Sequence, residues 1–384
     1  MTVFKSVILG CCLSVFLAGC ASNVQTNARG EVLPPLPEWE VDGLSTRTIS
    51  PNRIYKLTPK QEREFLTYFK DPAKQHIDDH QRLANFLTEY MESFSYSGTT
   101  KTASEAMASK TGDCVSLAIL TSALARLAGV RYLHRKVIRA PIYTRSNDII
   151  ITAQHIRTVL FKSKENLSDN AIEPWTKYIY IDYYRADTDI PAEPITWAHF
   201  DSLFYSNLSA TYLTENKLIE AYAYSRKALE LAPDNPENIN QHAVILKRLG
   251  YAQKALALYE YGFNYFPDSI NLLSNYKVLL ERQGNEAMIA KVDAKLLNIK
   301  DSNPYQWLQL GYDAYDQEEY SRALQLFKRA EDKARYLDYV YLALAKASYS
   351  LGKRNDAKLY LEKALAAPVK ANSEQLLAGK LASL

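Results

Sequence analysis

The chain has 384 residues, with 46 Lys+Arg against 43 Asp+Glu and a formal net charge of +3. So even a balance excludes a dedicated nucleic-acid binder, which needs a basic excess or a basic stripe. Hydrophobic residues make up 47% and charged residues 23%, which excludes a disordered or collagen-like polymer, and no apolar run beyond the first 19 residues is long enough to span a membrane.

Residues 1–19 read as a signal segment: Lys5 supplies a short positive region and 6–16 an apolar stretch. The run Leu17-Ala18-Gly19-Cys20 that follows resembles a bacterial lipoprotein signal. That resemblance implies cleavage before Cys20 and acylation of Cys20 by palmitate-like chains. Ala21 and Ser22, with no Asp after the cysteine, resemble the default outer-membrane sorting pattern of Gram-negative lipoproteins. The expectation is an outer-membrane, lipid-anchored protein on the periplasmic side. Residues 20–52 are polar and then proline-rich at Pro34, Pro35 and Pro37, the composition of a lipidated, extended tether. Cys11 and Cys12 leave with the signal and Cys20 carries lipid, so Cys114 is the one remaining thiol.

Residues 53–201 begin helical, with apolar residues at helical spacing over 58–68 and 78–94. Thr102-Ala103-Ser104-Glu105 is a capping box. In Lys110-Thr111-Gly112-Asp113-Cys114-Val115-Ser116-Leu117, Gly112 gives a sharp turn and Asp113 is an N-cap, which puts Cys114 in the first turn of a helix. Leu117, Leu120, Leu124 and Leu127 continue that helix and Gly129 ends it. The positive end of a helix favours a thiolate, the nucleophilic form of cysteine. Three strand-like runs follow, at 132–138, 149–161 and 178–183, with His155 inside the second and Asp182 near the end of the third. A nucleophile, an imidazole base and a carboxylate that orients it are the groups that thiol acyl chemistry needs.

The Gly112–Leu117 motif, Gln154-His155 and Ile181-Asp182 together resemble the bacterial transglutaminase-like family of the papain-like superfamily. The resemblance covers about residues 60–190. It extends to the join with the next domain, where Phe204-Tyr205-Ser206-Asn207 resembles members that carry tetratricopeptides downstream. It implies an α+β fold with Cys114 as nucleophile, His155 as general base, Asp182 as orienter, and no cofactor or metal. Asp187 and Asp189 lie close to Asp182 and leave the third member open. Cys114 would form a thioester, resolved by water in a peptidase or amidase and by an amine in a crosslinker; peptidoglycan peptides are a further amide class. The alternative from another class is an inactive envelope scaffold.

Residues 202–371 repeat at 34-residue spacing, in blocks starting at Ser202, Pro236, Ile270, Pro304 and Asp338. Position 8 reads Ser209, Ala243, Lys277, Gly311, Ala345 and position 20 reads Ala221, Ala255, Ile289, Ala323, Ala357, small residues where two helices meet. Position 27 reads Ala228, Gly262, Leu296, Ala330, Ala364. The pattern resembles tetratricopeptide repeats: about five helix–turn–helix units in an all-α solenoid with a concave face that binds peptides or proteins. The third block, with Lys277, Ile289 and Leu296, departs most and is expected to be distorted. Positions 2, 5, 9 and 12 usually face inward, which makes Tyr305, Tyr312, Tyr315, Tyr339 and Tyr349 the candidate partner-binding groove. Residues 372–384 are a C-terminal tail.

Three other features read as structural. His76 and His80 lack the Glu of a zincin and fit a solvated helix face. Arg131, His134, Arg135, Lys136 and Arg139 fit alternation on a strand edge as well as a surface for an anionic substrate or the membrane, and Trp175 and Trp197, which flank the expected active domain, fit core positions or the walls of a cleft.

Overall fold

The computed structural model describes residues 30, 32–45, 47–138, 143–146, 149–152, 155–162, 178–181, 190–299, 304–335 and 337–367. The signal segment, Cys20, Trp175, Asp182, Asp187, Asp189 and the C-terminal tail lie outside them. No helix among the described residues is long and apolar enough to cross a membrane.

The first domain opens with α1 (Pro51–Ile54), α2 (Pro59–Phe69) and α3 (Asp79–Met91). Strands β1 (Ser95–Tyr96) and β2 (Thr111–Gly112) pair in parallel around α4 (Ala103–Ser109). The Thr102 capping box forms as the sequence predicts, with Glu105 returning to the Thr102 backbone. The central helix α5 (Cys114–Ala128) is apolar on nearly every side, and its residues 114–125 are all buried. Such a helix has to sit inside a domain rather than on its surface. Gly129 closes it at φ +72°, a conformation that costs side chains other than glycine.

Against α5 lies a four-stranded antiparallel sheet in the order β7-β6-β3-β8: β3 (Arg131–Ile138), β6 (His155–Phe161), β7 (Tyr178–Ile181) and β8 (Ile190–Pro194). A separate hairpin joins β4 (Tyr143–Ser146) to β5 (Ile149–Thr152). The single strand expected over 149–161 is therefore two: β5 belongs to the hairpin, and His155 opens β6 instead of lying mid-strand. β3 is interior to the sheet, which corrects the strand-edge reading of its basic run. His80 is also buried, in the first turn of α3, rather than on a solvated face, and Trp197 is 47% exposed rather than core.

Ten helices then pair as hairpins: α6 (Trp197–Thr214) with α7 (Leu218–Leu231), α8 (Pro236–Arg248) with α9 (Ala252–Tyr265), α10 (Ile270–Gln283) with α11 (Glu286–Asn298), α12 (Pro304–Asp316) with α13 (Tyr320–Lys333), and α14 (Asp338–Ser350) with α15 (Arg354–Ala366). From α8 onward the inner helices start at 236, 270, 304 and 338, and the outer ones advance by the same 34 residues from 218 to 354. The molecule thus has a tetratricopeptide-type α-solenoid. The small residues do what their spacing implies: Ser209 donates to the Ala221 carbonyl across the first hairpin at 2.8 Å. A Cβ on Gly311 would lie 2.3 Å from the Phe327 ring. Gly311→Val is therefore expected to cost about 2 kcal/mol or more by overpacking; a denaturation midpoint equal to that of the unmodified chain would refute this account of the α12–α13 contact.

The third hairpin, expected to be distorted, keeps the 34-residue register of its neighbours and differs in its contacts. At position 8 Lys277 reaches Asp293 of α11 at 3.0 Å, and Asp293 also meets Arg322 of α13 at 2.8 Å. An ion network stands where the other units use a small residue.

Helix α6 belongs to both domains. Phe200, Phe204 and Tyr205 join the core around α5, whereas Leu213 joins the solenoid core. The helix begins at Trp197, so the boundary drawn at 201/202 falls within it. The second half of the expected tether is also structured. Leu33 is buried in the solenoid core, Tyr261 donates to the Pro34 carbonyl at 2.9 Å, and the Val41 amide donates to the Tyr222 hydroxyl at 2.8 Å. Glu38 and Glu40 pair with Lys254 and Arg226, and Trp39 meets the His242 ring edge-on at 5.1 Å. A strap over 32–45 thus binds α7, α8 and α9. Further on, Tyr205 of α6 donates to the Ile49 carbonyl at 2.7 Å.

Candidate functional site

Cys114 is the first residue of α5 and is 6% exposed. Asp113 caps the helix and is itself buried. Its Oδ1 accepts from the Ser116 amide at 2.7 Å and from the Ser116 hydroxyl at 2.6 Å. Its Oδ2 accepts from the Thr100 hydroxyl and, at 3.1 Å, from the Asn207 side-chain amide of α6. The Ser116 hydroxyl also accepts from the Lys101 amide at 2.8 Å. These bonds fix the turn that carries the thiol to the 100–102 segment on one side and to the solenoid on the other. Gly112 allows the close approach, since a Cβ there would lie 2.7 Å from Ser116 Cβ.

The electrostatics at this turn pull in two directions. The helix N-terminus favours a thiolate by about 0.3–1 kcal/mol. The adjacent Asp113 carboxylate opposes it. A thiolate at Cys114 therefore needs a cationic partner such as an imidazolium.

The position of His155 follows from backbone geometry. Ser122 of α5 meets His134 of β3 at 2.9 Å, and Arg126 meets Tyr132 at 2.8 Å, so helix and strand run antiparallel. From Ser122 back to Cys114 is about 12 Å of helix rise. The same distance along β3 from His134 is about three to four residues, which ends at Val137 or Ile138. Val137 is the cross-strand partner of His155. The start of β6 and the start of α5 thus come to the same end of the sheet. β7 runs towards that end as well, since its last residue Ile181 pairs with Thr158, and Asp182 follows Ile181 in the chain.

His134 is a separate, structural histidine. It is 1% exposed, joined to Ser122 and Thr158, and stacked on Phe200 at 3.7 Å. Burial pushes its pKa down to about 3, helped by the nearby Arg126 guanidinium, so the ring is neutral. His242 in the solenoid is driven down to about 3 by burial as well.

Next to the thiol end of the sheet is a charged junction. Burial lowers the pKa of Lys136 on β3; Glu237 and Asp234 are the carboxylates that act on it. Asp234 lies 3.4 Å from His199 of α6, and Glu237 of α8 accepts from Asn271 of α10 at 3.1 Å. Further amide contacts join the inner helices: Gln241 donates to the Ser206 carbonyl at 3.0 Å, and Asn275 donates to Asn240 at 2.9 Å. Sequence reasoning missed these residues. The signal was present, since Asn207, Gln241, Asn275 and Gln309 recur every 34 residues at position 6.

The tyrosine groove divides. Tyr312 meets Phe327 of the next helix at 5.0 Å, and Tyr315 bonds Ser350 of α14 at 2.7 Å with Lys346 over its ring at 4.0 Å. Both are partly buried packing residues of the solenoid core, as is Tyr339. Tyr349 is 54% exposed, and Tyr305 lies in the first turn of α12.

No family model matches the sequence, and no curated protein matches it. Among solved structures, the crystal structure of MamA protein is 14% identical over 43% of this chain and 91% of that one, with a TM-score of 0.29. YrrB, described as a TPR protein with an unusual peptide-binding site, is 15% identical over 48% of this chain and 92% of its own, with a TM-score of 0.29. MamA 41-end from Desulfovibrio magneticus RS-1 is 16% identical over 43% of this chain and 94% of its own, also with a TM-score of 0.29. At such values the solenoid assignment rests on this chain's own 34-residue register.

Proposed function

We propose that this chain is a lipid-anchored envelope protein, held in the outer membrane through Cys20 and facing the periplasm. In this reading Cys114 performs acyl chemistry on a peptide or protein amide brought by the tetratricopeptide solenoid. Cys114 attacks the carbonyl, His155 takes up and returns the proton, and Asp182 orients the imidazole. The Cys114 amide at the start of α5 is the natural donor to the developing oxyanion. Water or an amine then resolves the thioester, and no cofactor is required. The observation that carries the reading is the placement of Cys114 on a capped helix start, level with the strand end that bears His155.

A second reading is favoured by one observation, the 6% exposure of Cys114. There the domain is an inactive scaffold, and both domains bind envelope partners. Iodoacetamide kinetics on the full chain separate the two. The enzymatic reading expects fast alkylation of Cys114 that persists below pH 7, and His155→Ala slowing it at pH 6 by about tenfold or more. A rate that follows an ordinary thiol titration and ignores the substitution would leave the scaffold.

A further inference from the structure

The strap over 32–45 is held to the solenoid lightly. Leu33 is buried, whereas Leu36, Trp39, Val41 and Leu44 only half bury against the core. Its ion pairs, Glu38 with Lys254 and Glu40 with Arg226, both at 2.7 Å, have exposed carboxylates, and such pairs contribute little. The helices beneath close through Tyr222, Leu246, Leu258 and Tyr259, which are fully buried. A weakly held segment on a well-packed frame is the kind of unit that opens locally, before the frame does.

One contact of the strap is unlike the others. His242 of α8 is fully buried, with its ring edge-on to Trp39 at 5.1 Å and tilted against Tyr222 of α7 at 5.2 Å. The Ser225 hydroxyl donates to the Tyr222 carbonyl at 3.0 Å, so it accepts from His242 Nδ1, 2.8 Å away. That places the ring proton on Nδ1 and leaves Nε2 as the basic atom. Nε2 is buried and has no hydrogen-bond partner among the described residues. The charged groups around the ring come from three elements. Arg226 of α7 lies between Glu40 of the strap and Glu230 of its own helix, and Lys254 of α9 pairs with Glu38. The Trp39 carbonyl favours a charged ring and Arg226 disfavours it, but burial outweighs both and drives the pKa down to about 3. Lys254 holds Glu38 below the usual carboxylate range, and burial holds the Tyr222 phenol above its own.

From this arrangement we propose that the strap is a proton-operated clasp, which opens as one unit while the repeats beneath it stay folded, and that His242 couples the opening to acid. With the strap closed, a proton on Nε2 would charge a ring shut away from water. With Trp39 lifted off, water reaches that ring. The closed form is therefore favoured above about pH 6.5 and loses ground as the pH falls towards 3. A solvated imidazole titrates near 6.5, so the open form gains about twentyfold over the closed one between pH 7 and pH 5. Opening moves the first hold on the chain from Leu33 to Ile49, whose carbonyl Tyr205 grips, and frees about 50 Å of extended polypeptide. Under the lipid-anchor reading that length is added reach; the clasp itself depends on neither the anchor nor the thiol.

Amide hydrogen exchange on the full chain, read by mass on peptides covering 32–45 and corrected for the intrinsic rate at each pH, tests this. The Val41 amide, which donates to the Tyr222 hydroxyl, lies in the reporting segment. The expected result is strap protection that falls about twentyfold from pH 7 to pH 5, while peptides of α8 and α9 stay protected. His242→Leu and the milder His242→Gln should each abolish the fall. Trp39→Ala should lower strap protection at both pH values and leave the helices unchanged. Strap protection that is the same at pH 7 and pH 5 overturns the clasp. So does protection lost in step from the strap, α8 and α9, because the repeats then unfold together. A fall that persists in both His242 variants overturns the role of His242.

Discussion

Lowering the pH from 7 to 5 is expected to remove about 4 kcal/mol of folding stability, shared between two separate cores. His134 under α5 and His242 in the solenoid are both buried, with pKa values near 3. In an unfolded chain the same rings titrate near 6.5. Between those values the unfolded state binds more protons, so stability is fully present above about pH 6.5 and falls as the pH drops towards 3. At pH 5 each ring accounts for about 2 kcal/mol, because that is the free energy of protonating it in the unfolded chain alone. Urea midpoints at the two pH values measure the sum. His242→Leu tests one share, since Leu208, Leu310 and Leu344 hold the equivalent position in other repeats. That variant should lose about half of the acid sensitivity. Equal midpoints at pH 7 and pH 5 in the unmodified chain would show that neither ring is buried neutral.

Asp113→Ala carries the other large effect. The substitution removes a helix cap, worth about 1 kcal/mol. It also strands the buried donors of Thr100 and Ser116 and the half-buried amide of Asn207, and each unsatisfied buried group costs about 1–3 kcal/mol. Partial relaxation lowers the sum, so a loss of about 3 kcal/mol is expected, with amide exchange speeding up at the start of α5 and in α6. Asp113→Asn retains an acceptor for the Ser116 amide and should cost about 1 kcal/mol. An Asp113→Ala chain within 0.5 kcal/mol of the parent, a margin typical of unremarkable surface substitutions, would mean the carboxylate does not hold the two domains together. The same variant frees the cysteine turn, so a change in Cys114 alkylation should accompany the loss of stability.

The sequence is legible where local chemistry decides. The Thr102 box, the Asp113 cap and the Gly129 stop each depend on neighbours within four residues, and each forms where the sequence places it. The 34-residue register is local in the same sense, because every repeat contacts the next. Long-range pairing was not legible. Whether residues 149–152 extend β6 or turn back onto β4 depends on partners remote in the chain, and the β-branched run looks the same in both cases. The strap is hidden in the sequence for a similar reason. Proline-rich composition favours an extended chain, which is also the conformation that lies along α7, α8 and α9. Within the candidate site, Cys114 and its cap were readable from the turn alone. Asn207 was hidden because its role arises only when α6 of the solenoid meets the cap of α5.

The fastened strap has a consequence for how such a molecule would be moored. Composition alone suggests a leash of more than thirty residues between lipid and body. The chain is instead tied down from Leu33 onward, which leaves only the stretch from Cys20 to Val32 to bridge the gap. Thirteen residues reach no further than about 45 Å. Under the lipid-anchor reading, the flank of the solenoid near Tyr261 would ride close to the bilayer, and any polypeptide entering the groove would have to approach within that shallow layer.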